Sequence, residues 1–158
     1  MKGLAVIVLA AQLILVAAAT LQPLEAEPPN VISLGTVDGK SYYYNKTLRS
    51  WFNSRAFCIE NGMQMATIET VSQAEFLKSR QSLNAFSGYF EIAGRDAQIA
   101  RQFSWDSTGE ALTDIPGLPF RLNGGALDYR TCISYLASES PFLNIKECPL
   151  AGYALCQI

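Results

Sequence analysis

The sequence has no histidine among its 158 residues. This absence excludes the usual general base, the Ser-His and Cys-His nucleophile pairs, and the commonest zinc ligand. Basic side chains are also few, since 12 lysines and arginines stand against 14 aspartates and glutamates, scattered without runs. A nucleic-acid-binding surface needs a basic stripe that displaces counterions from phosphates. The composition therefore predicts no nucleic-acid partner.

Long apolar runs are missing except at the N-terminus. There, Lys2 is followed by an apolar run of about sixteen residues, interrupted only by Gln12, and by small residues at Ala17 and Ala19. The run is shorter than the ~20 residues of a membrane-spanning helix. It predicts a secretory signal peptide over residues 1–19, hence a secreted, extracellular protein with no membrane span after cleavage. Residues 20–30, rich in proline, predict a flexible leader, and residues 31–158 form one domain.

Cysteine is scarce but informative. No two of the four cysteines have the two-to-four-residue spacing of a structural zinc site. Behind a signal peptide, four cysteines predict two disulfides formed in an oxidising compartment. Three pairings are possible, and spacing alone does not choose among them. The four are Cys58, Cys132, Cys148 and Cys156.

A glycosylation sequon, Asn45-Lys46-Thr47, follows in the first part of the domain. On the secretory route such a motif predicts a glycoprotein. If the sequon is used, the side chain of Asn45 must lie at the surface.

The domain is predicted to begin with a β-hairpin. Val31–Leu34 and Ser41–Asn45 have strand composition and flank Asp38-Gly39, a dipeptide that tolerates the positive φ of a tight turn. Because side chains alternate along a strand, the three residues Tyr42–Tyr44 cannot all face one way. We expect two in the core and one outside, or the reverse.

Two helices should follow the hairpin. Ser50 can cap a helix over Trp51–Asn61, which ends before Gly62, a residue free to adopt the left-handed conformation. Ser72-Gln73-Ala74-Glu75 matches the capping box, in which the first and fourth residues satisfy each other's backbone amides. It predicts a second helix that runs to about Gln81.

The rest of the chain has short strand patterns and one long irregular stretch. Leu112–Leu127 contains prolines and glycines without a regular period, which predicts a long loop, and such loops are usually functional. The strand candidates are Tyr89–Ala93, Gln102–Trp105, Cys132–Tyr135, Phe142–Lys146 and Gly152–Gln157. Two helices followed by short strands give the fold class α+β.

The order and spacing of several short fragments together resemble the C-type lectin-like domain, and in particular the small secreted C-type lectins of insects. Each fragment is weak alone, and the match covers residues 40–158. The fragments are Trp51 seven residues before Cys58, Gly62-Met63-Gln64-Met65-Ala66-Thr67-Ile68, Glu75, Phe103-Ser104-Trp105, Ser107-Thr108-Gly109, and Cys148 followed by Tyr153-Ala154-Leu155-Cys156.

The resemblance implies two helices with small antiparallel sheets and a long irregular loop. It also implies the disulfides Cys58–Cys156 and Cys132–Cys148, with the two ends of the domain meeting in one sheet. It further implies that the protein is a recognition module that binds carbohydrate.

In sugar-binding members of this family, a calcium ion takes oxygens from three places. They are a Glu-Pro-Asn or Gln-Pro-Asp triplet in the long loop, a glutamate two residues before the third cysteine, and the Asn-Asp of a Trp-Asn-Asp triplet. On this sequence the matching positions are Leu118-Pro119-Phe120, Arg130 and Leu143-Asn144-Ile145. Among the oxygen donors only Asn144 is kept, while Pro119 survives between two residues that have become apolar. Calcium needs six to eight oxygen ligands, so we expect no metal and no cofactor here, with Asp128 the acid best placed to restore a site.

The predicted function is thus recognition of an extracellular glycan without the calcium chelate. Protein recognition is the alternative, because arginine and aromatics such as Phe120 and Tyr129 anchor interfaces. The candidate ligand-binding residues are Arg121, Asn123, Arg130 and Asn144.

Two further expectations concern the acids. Glu91 stands where the insect members usually have tryptophan, on the face of its strand opposite Phe90 and Ile92, and is expected to be solvated. An enzyme would have to use a pair of carboxylates, but nothing in the spacing orders any two of them, so we expect no enzyme. A purely structural or inhibitory role, for example as a subunit of a heteromer, is not separated by sequence. The available carboxylates are Asp96, Asp106, Glu110, Asp114 and Asp128.

Overall fold

The structure is a computed structural model that describes residues 30–83, 88–96, 102–122, 131–137 and 142–158. The predicted signal peptide and nearly all of the leader lie outside these ranges. Within them, no helix is long and apolar enough to cross a bilayer. The elements in chain order are β1 (Val31–Val37), β2 (Lys40–Arg49), α1 (Trp51–Glu60), β3 (Gln64–Met65), α2 (Val71–Leu83), β4 (Phe90–Asp96), β5 (Phe103–Trp105), β6 (Phe120–Leu122), β7 (Thr131–Leu136), β8 (Phe142–Glu147) and β9 (Gly152–Gln157).

The predicted hairpin is formed by β1 and β2. Asp38 and Gly39 both have positive φ, 50° and 76°, as the central residues of a type I′ turn require. Tyr42 and Tyr44 are buried and Tyr43 is half-buried, which confirms that two of the three tyrosines face the core.

Helix α1 forms as its boundary residues predict. Ser50 caps it by accepting a hydrogen bond from the Asn53 amide, and Gly62, with φ 71°, follows its end. The helix buries Trp51, and the indole Nε1 donates to the carbonyl of Ile92 in β4 at 2.7 Å. This bond ties the helix to the middle of the sheet.

Helix α2 begins two residues earlier than predicted. Its cap is Thr70, whose Oγ1 accepts from the Gln73 amide at 3.1 Å, while the Gln73 side chain accepts from the Glu69 amide at 2.8 Å. The predicted box starting at Ser72 is therefore wrong, because Ser72 is an exposed residue inside the first turn. The helix buries Ala74 and Leu77 against the sheet.

The strands connect into one mixed sheet in the order β1-β2-β9-β4-β7-β8-β6, with β3 paired to β9 and β5 paired to β4. This differs in detail from the expected small antiparallel sheets, since β4 with β9 and β6 with β8 are parallel pairs. Strands β2 and β9 pair antiparallel, so the two ends of the domain meet in the sheet as expected.

Strand β6 lies inside the stretch predicted to be an irregular loop. Phe120–Leu122 pairs with Leu143–Ile145 of β8, and Leu118 is buried. The prediction of an irregular segment is therefore wrong over these residues, because a three-residue strand is too short to show a period. Residues 123–127 of the predicted loop lie outside the described ranges.

Both disulfides implied by the resemblance are present. Cys58–Cys156 joins α1 to β9, and Cys132–Cys148 joins β7 to the residue after β8. Together they cross-link the helix and the sheet around one hydrophobic core.

Candidate functional site

Four side chains from four neighbouring strands lie in one row across the sheet. Glu91 of β4 pairs with Ser134 of β7, which pairs with Asn144 of β8, which pairs with Arg121 of β6. Residues directly opposite one another in a sheet project from the same face. The row therefore brings together two of the predicted ligand-binding residues, Arg121 and Asn144. The other two, Asn123 and Arg130, lie outside the described residues.

Asn144 lies beneath the surface. Its side chain is 1% exposed, and its Nδ2 donates to the Ser134 hydroxyl at 3.1 Å. Its Oδ1 is buried and has no hydrogen-bond partner among the described residues. A side chain this deeply buried does not contact a ligand at the surface, so Asn144 supports the sheet below the predicted site.

The positions that match the family's loop triplet are apolar and without side-chain oxygens, and Leu118 among them is buried. Phe120 stacks on Phe103 with ring centroids 6.3 Å apart, and the carbonyl of Pro119 accepts from the Leu143 amide at 3.0 Å. Within the described ranges, no group of three histidine, cysteine, aspartate or glutamate side chains is placed to hold a metal ion.

The expectation that Glu91 is solvated is wrong. Its side chain is fully buried, and its Oε1 accepts a hydrogen bond from the Lys146 ammonium, which also donates to the Leu150 carbonyl. Glu91 lies close against Gly152, where an added Cβ would clash with its Oε1. Burial raises the pKa of the Glu91 carboxyl to about 7, although Lys146 opposes the shift. The other oxygen, Oε2, is buried, and no residue in the described ranges donates a hydrogen bond to it.

The sequence contained a signal for this pair that the prediction missed. Lys146 is a basic residue in an otherwise largely apolar strand, two residues from Asn144 and hence on the same face of the sheet. An acid and a base that both interrupt apolar strands are natural partners, because a buried charge requires a counter-charge.

Arg121 is exposed, and its guanidinium lies 4.4 Å from the centroid of the Phe142 ring. Tyr89 packs edge-on against the other side of this cluster, with its ring centroid 6.2 Å from that of Phe142. We call Arg121, Phe142 and Tyr89 the arginine platform. Among the described residues, no carboxylate pairs with Arg121.

The carboxylates considered for catalysis do not converge where the structure describes them. Asp106 is held by Arg55 and by Arg95, the latter at 2.8 Å, and Asp96 accepts from the amide and hydroxyl of Thr131. Glu110 and Asp114 are exposed, and Asp128 lies outside the described residues. Glu110 does line a pocket of about 250 Å³ with Glu69 and Trp105, but Glu69 is paired there with Lys40 at 2.9 Å.

The condition set for glycosylation at Asn45 is not met. The side chain is 1% exposed, its Nδ2 donates to the Asn30 carbonyl at 2.7 Å, and its Oδ1 accepts from the Thr47 amide at 2.8 Å and from Arg49. The asparagine thus closes a turn within β2 and anchors the start of β1.

No family model and no curated protein matches the sequence. Solved structures do match. The C-type lectin CEL-I from Cucumaria echinata is 13% identical, with 82% of this chain and 95% of that chain covered and a TM-score of 0.63. SPL-1 in complex with GlcNAc is 20% identical, with coverages of 78% and 90% and a TM-score of 0.60. SPL-2, a Ca²⁺-independent C-type lectin from Saxidomus purpuratus, is 21% identical, with coverages of 83% and 92% and a TM-score of 0.60.

The fold is therefore the one shared by C-type lectins and C-type lectin-like domains. CEL-I and SPL-2 are lectins, which are binding proteins rather than enzymes. At these identities the structural likeness defines the fold alone. The ligand depends on the side chains of this chain.

Proposed function

We propose that this protein is a secreted C-type lectin-like recognition protein that binds an extracellular glycan without a calcium chelate. The observation that carries the proposal is the burial of Asn144, which donates to Ser134 and lies between the apolar residues Leu143 and Ile145. Asn144 is the one calcium-ligand position of the family at which this sequence retains an oxygen donor. Its side chain thus forms its hydrogen bond inside the sheet.

The electrostatics of the row also oppose a divalent cation. Calcium sites contain six to eight oxygens, with carboxylates setting the affinity. Here the residue in register with Asn144 is Arg121. At an effective dielectric of about 20, two unit charges about 4 Å apart repel by about 4 kcal/mol, and a divalent ion doubles that cost.

The matched structures support both parts of the proposal. SPL-2 is Ca²⁺-independent, so this fold is compatible with a lectin that does not need the ion. SPL-1 is a complex with GlcNAc, which makes a saccharide the natural class of ligand to test first. Secretion is supported by the N-terminal apolar segment and by the two disulfides.

The test is a glycan array probed with the disulfide-intact protein in calcium and in EDTA, beside calcium titrations by calorimetry. We expect the same glycans to be bound in both buffers and no heat of calcium binding. A calcium-dependent lectin on the same array controls for chelation. Loss of all binding in EDTA, together with a measurable calcium affinity, would overturn the proposal.

Protein recognition is the second candidate, and the exposed side of α1 favours it. Phe52 and Ile59 are 47% and 53% exposed and lie two helical turns apart, with exposed Ala56 between them on the same side. Clustered apolar groups of this kind occur at interfaces. An empty glycan array, with a stable complex in the native secretion that Phe52→Ser disrupts, would favour this function.

A further inference from the structure

Most of the described arginines have oxygen partners within the protein. Arg49 donates to Asn45 and Thr47, and Arg55 and Arg95 both pair with Asp106. These three guanidinium groups therefore take part in interactions that stabilise the fold.

Arg121 differs from these three. Its guanidinium rests on the Phe142 ring, is exposed, and has no hydrogen bond or ion pair with another described residue. A guanidinium that stacks through its face keeps its five in-plane N–H donors available. Among the described residues, none accepts a hydrogen bond from these donors of Arg121.

The stacking also fixes the geometry of these donors. Phe142 is 9% exposed and is held by Tyr89 on one side and by its place in β8. An arginine confined to one orientation loses less conformational entropy on binding than a free surface arginine. The planar fork then presents paired donors that match the two oxygens of a carboxylate or sulfate.

Tyr89 extends the aromatic surface on the other side of Phe142 from Arg121. It is half-buried, so part of the residue remains accessible. Binding sites for small organic ligands combine an aromatic surface with a few fixed polar groups that set the orientation. A pyranose ring that carries an acidic group offers both an apolar C–H face and an anion.

We propose that the arginine platform binds the carboxylate or sulfate of an acidic saccharide. This inference rests on the proposed function and gives it a ligand class, with Arg121 in place of the metal as the cationic group. The acidic side chains of the protein are scattered, and charges beyond the ~8 Å Debye length at physiological salt are largely screened. The net charge of −2 therefore does not prevent local recognition of an anion.

The experiment measures affinities, in EDTA, for three oligosaccharides with the same backbone: one neutral, one carrying uronic acid carboxylates and one carrying sulfates. We expect at least one acidic form to bind more tightly than the neutral form, and the tighter of the two identifies the anion. Arg121→Gln should weaken that binding about tenfold to a hundredfold, as expected for the loss of charge-assisted hydrogen bonds. Arg121→Lys, which keeps the charge but loses the fork, should fall between.

Arg80→Gln is the matched control, because it also removes one arginine stacked on a phenylalanine, at 4.9 Å from the Phe76 ring, but on helix α2. It should leave the affinity for the acidic form unchanged. Thermal melts of each variant report whether the fold is intact, and replacement of exposed Arg121 should not shift them.

Two outcomes would overturn the inference. If neutral and acidic forms bind equally in EDTA and Arg121→Gln has no effect, calcium-independent glycan recognition stands and the role of Arg121 falls. If no saccharide binds in either calcium or EDTA, the glycan part of the proposed function falls as well.

Discussion

Glu91 and Lys146 form an ion pair inside the domain, between the central strand β4 and strand β8, with side chains 0% and 4% exposed. Gly152 lies against this pair, and its lack of a side chain leaves room for the Glu91 carboxylate. A buried ion pair gives little net stability, but removal of one partner leaves a costly uncompensated charge.

Replacement of Lys146 by methionine should destabilise the protein strongly at high pH. The buried Glu91 carboxylate loses its counter-charge, a change that typically costs about 3–5 kcal/mol. The loss of stability should be smaller at pH 5, because a buried carboxyl without a counter-charge takes up a proton instead of remaining charged. Urea unfolding of wild type and Lys146→Met at pH 8 and pH 5 measures both values.

Lys78→Met is the control for this experiment. Lys78 pairs with Glu75 at 3.5 Å on the exposed side of α2, where both side chains are partly in water. Surface pairs contribute roughly 0–1 kcal/mol, so this variant should change little at either pH. An equal loss of unfolding free energy in the two lysine variants would contradict a buried ion pair between Glu91 and Lys146.

The stability of the wild type should also depend on pH through Glu91 itself. Its folded-state pKa is about 7, above the ordinary value of 4.5 that applies in the unfolded chain. Between these values the folded state binds more protons than the unfolded state, so the contribution of this group is complete below pH 4.5 and is lost as the pH rises through 7. The slope approaches about 1.4 kcal/mol per pH unit in the middle of this range.

The measurement compares the wild type with Glu91→Gln, which does not titrate at this position. The wild type should lose stability relative to the variant as the pH is raised from 5 to 7. Other carboxylates affect both proteins alike and cancel in the difference. A difference in unfolding free energy that stays flat over this range would show that the carboxyl is already ionised.

The local features of the fold were predictable because their signals are local. The Asp38-Gly39 turn, the Ser50 cap and the helix end at Gly62 each follow from a few adjacent residues. The start of α2 is harder to predict, because two capping patterns overlap: one starts at Thr70 and the other two residues later at Ser72. The Thr70 cap is stabilised by two hydrogen bonds, from the Gln73 amide to the Thr70 hydroxyl and from the Glu69 amide to the Gln73 side chain.

The predictions that are wrong concern features that depend on distant parts of the chain. Alternation correctly placed Glu91 opposite Phe90 and Ile92, but it could not show that both faces of a central strand are covered. Its partner Lys146 is 55 residues away in sequence. Strand β6 likewise forms only through its pairing with β8, and this pairing is what brings Arg121 beside Phe142.

The two disulfides should contribute unequally to stability. Cys58 and Cys156 are separated by 98 residues, whereas Cys132 and Cys148 are separated by 16. In the chain-entropy model, closing a loop of about 100 residues stabilises by about 4.7 kcal/mol and one of about 15 residues by about 3 kcal/mol. Paired Cys→Ala variants, compared by denaturant unfolding, should therefore rank with the longer bridge as the more important. The reverse order would show that the loop-length argument does not govern this domain.

The burial of Asn45 leads to a prediction about the sequon. Because the amide nitrogen that would carry the sugar donates to Asn30 and is enclosed, the folded protein has no room for a glycan there. We expect the protein secreted from eukaryotic cells to have the same mass before and after treatment with a peptide N-glycosidase. Thr47→Ala removes the sequon but leaves the asparagine, and its product should also have an unchanged sugar content. Asn45→Ala should instead lower the melting temperature, because it removes the bonds to Asn30, Thr47 and Arg49. A glycan released from the wild type but not from Thr47→Ala would show that the start of β1 is displaced in the secreted protein.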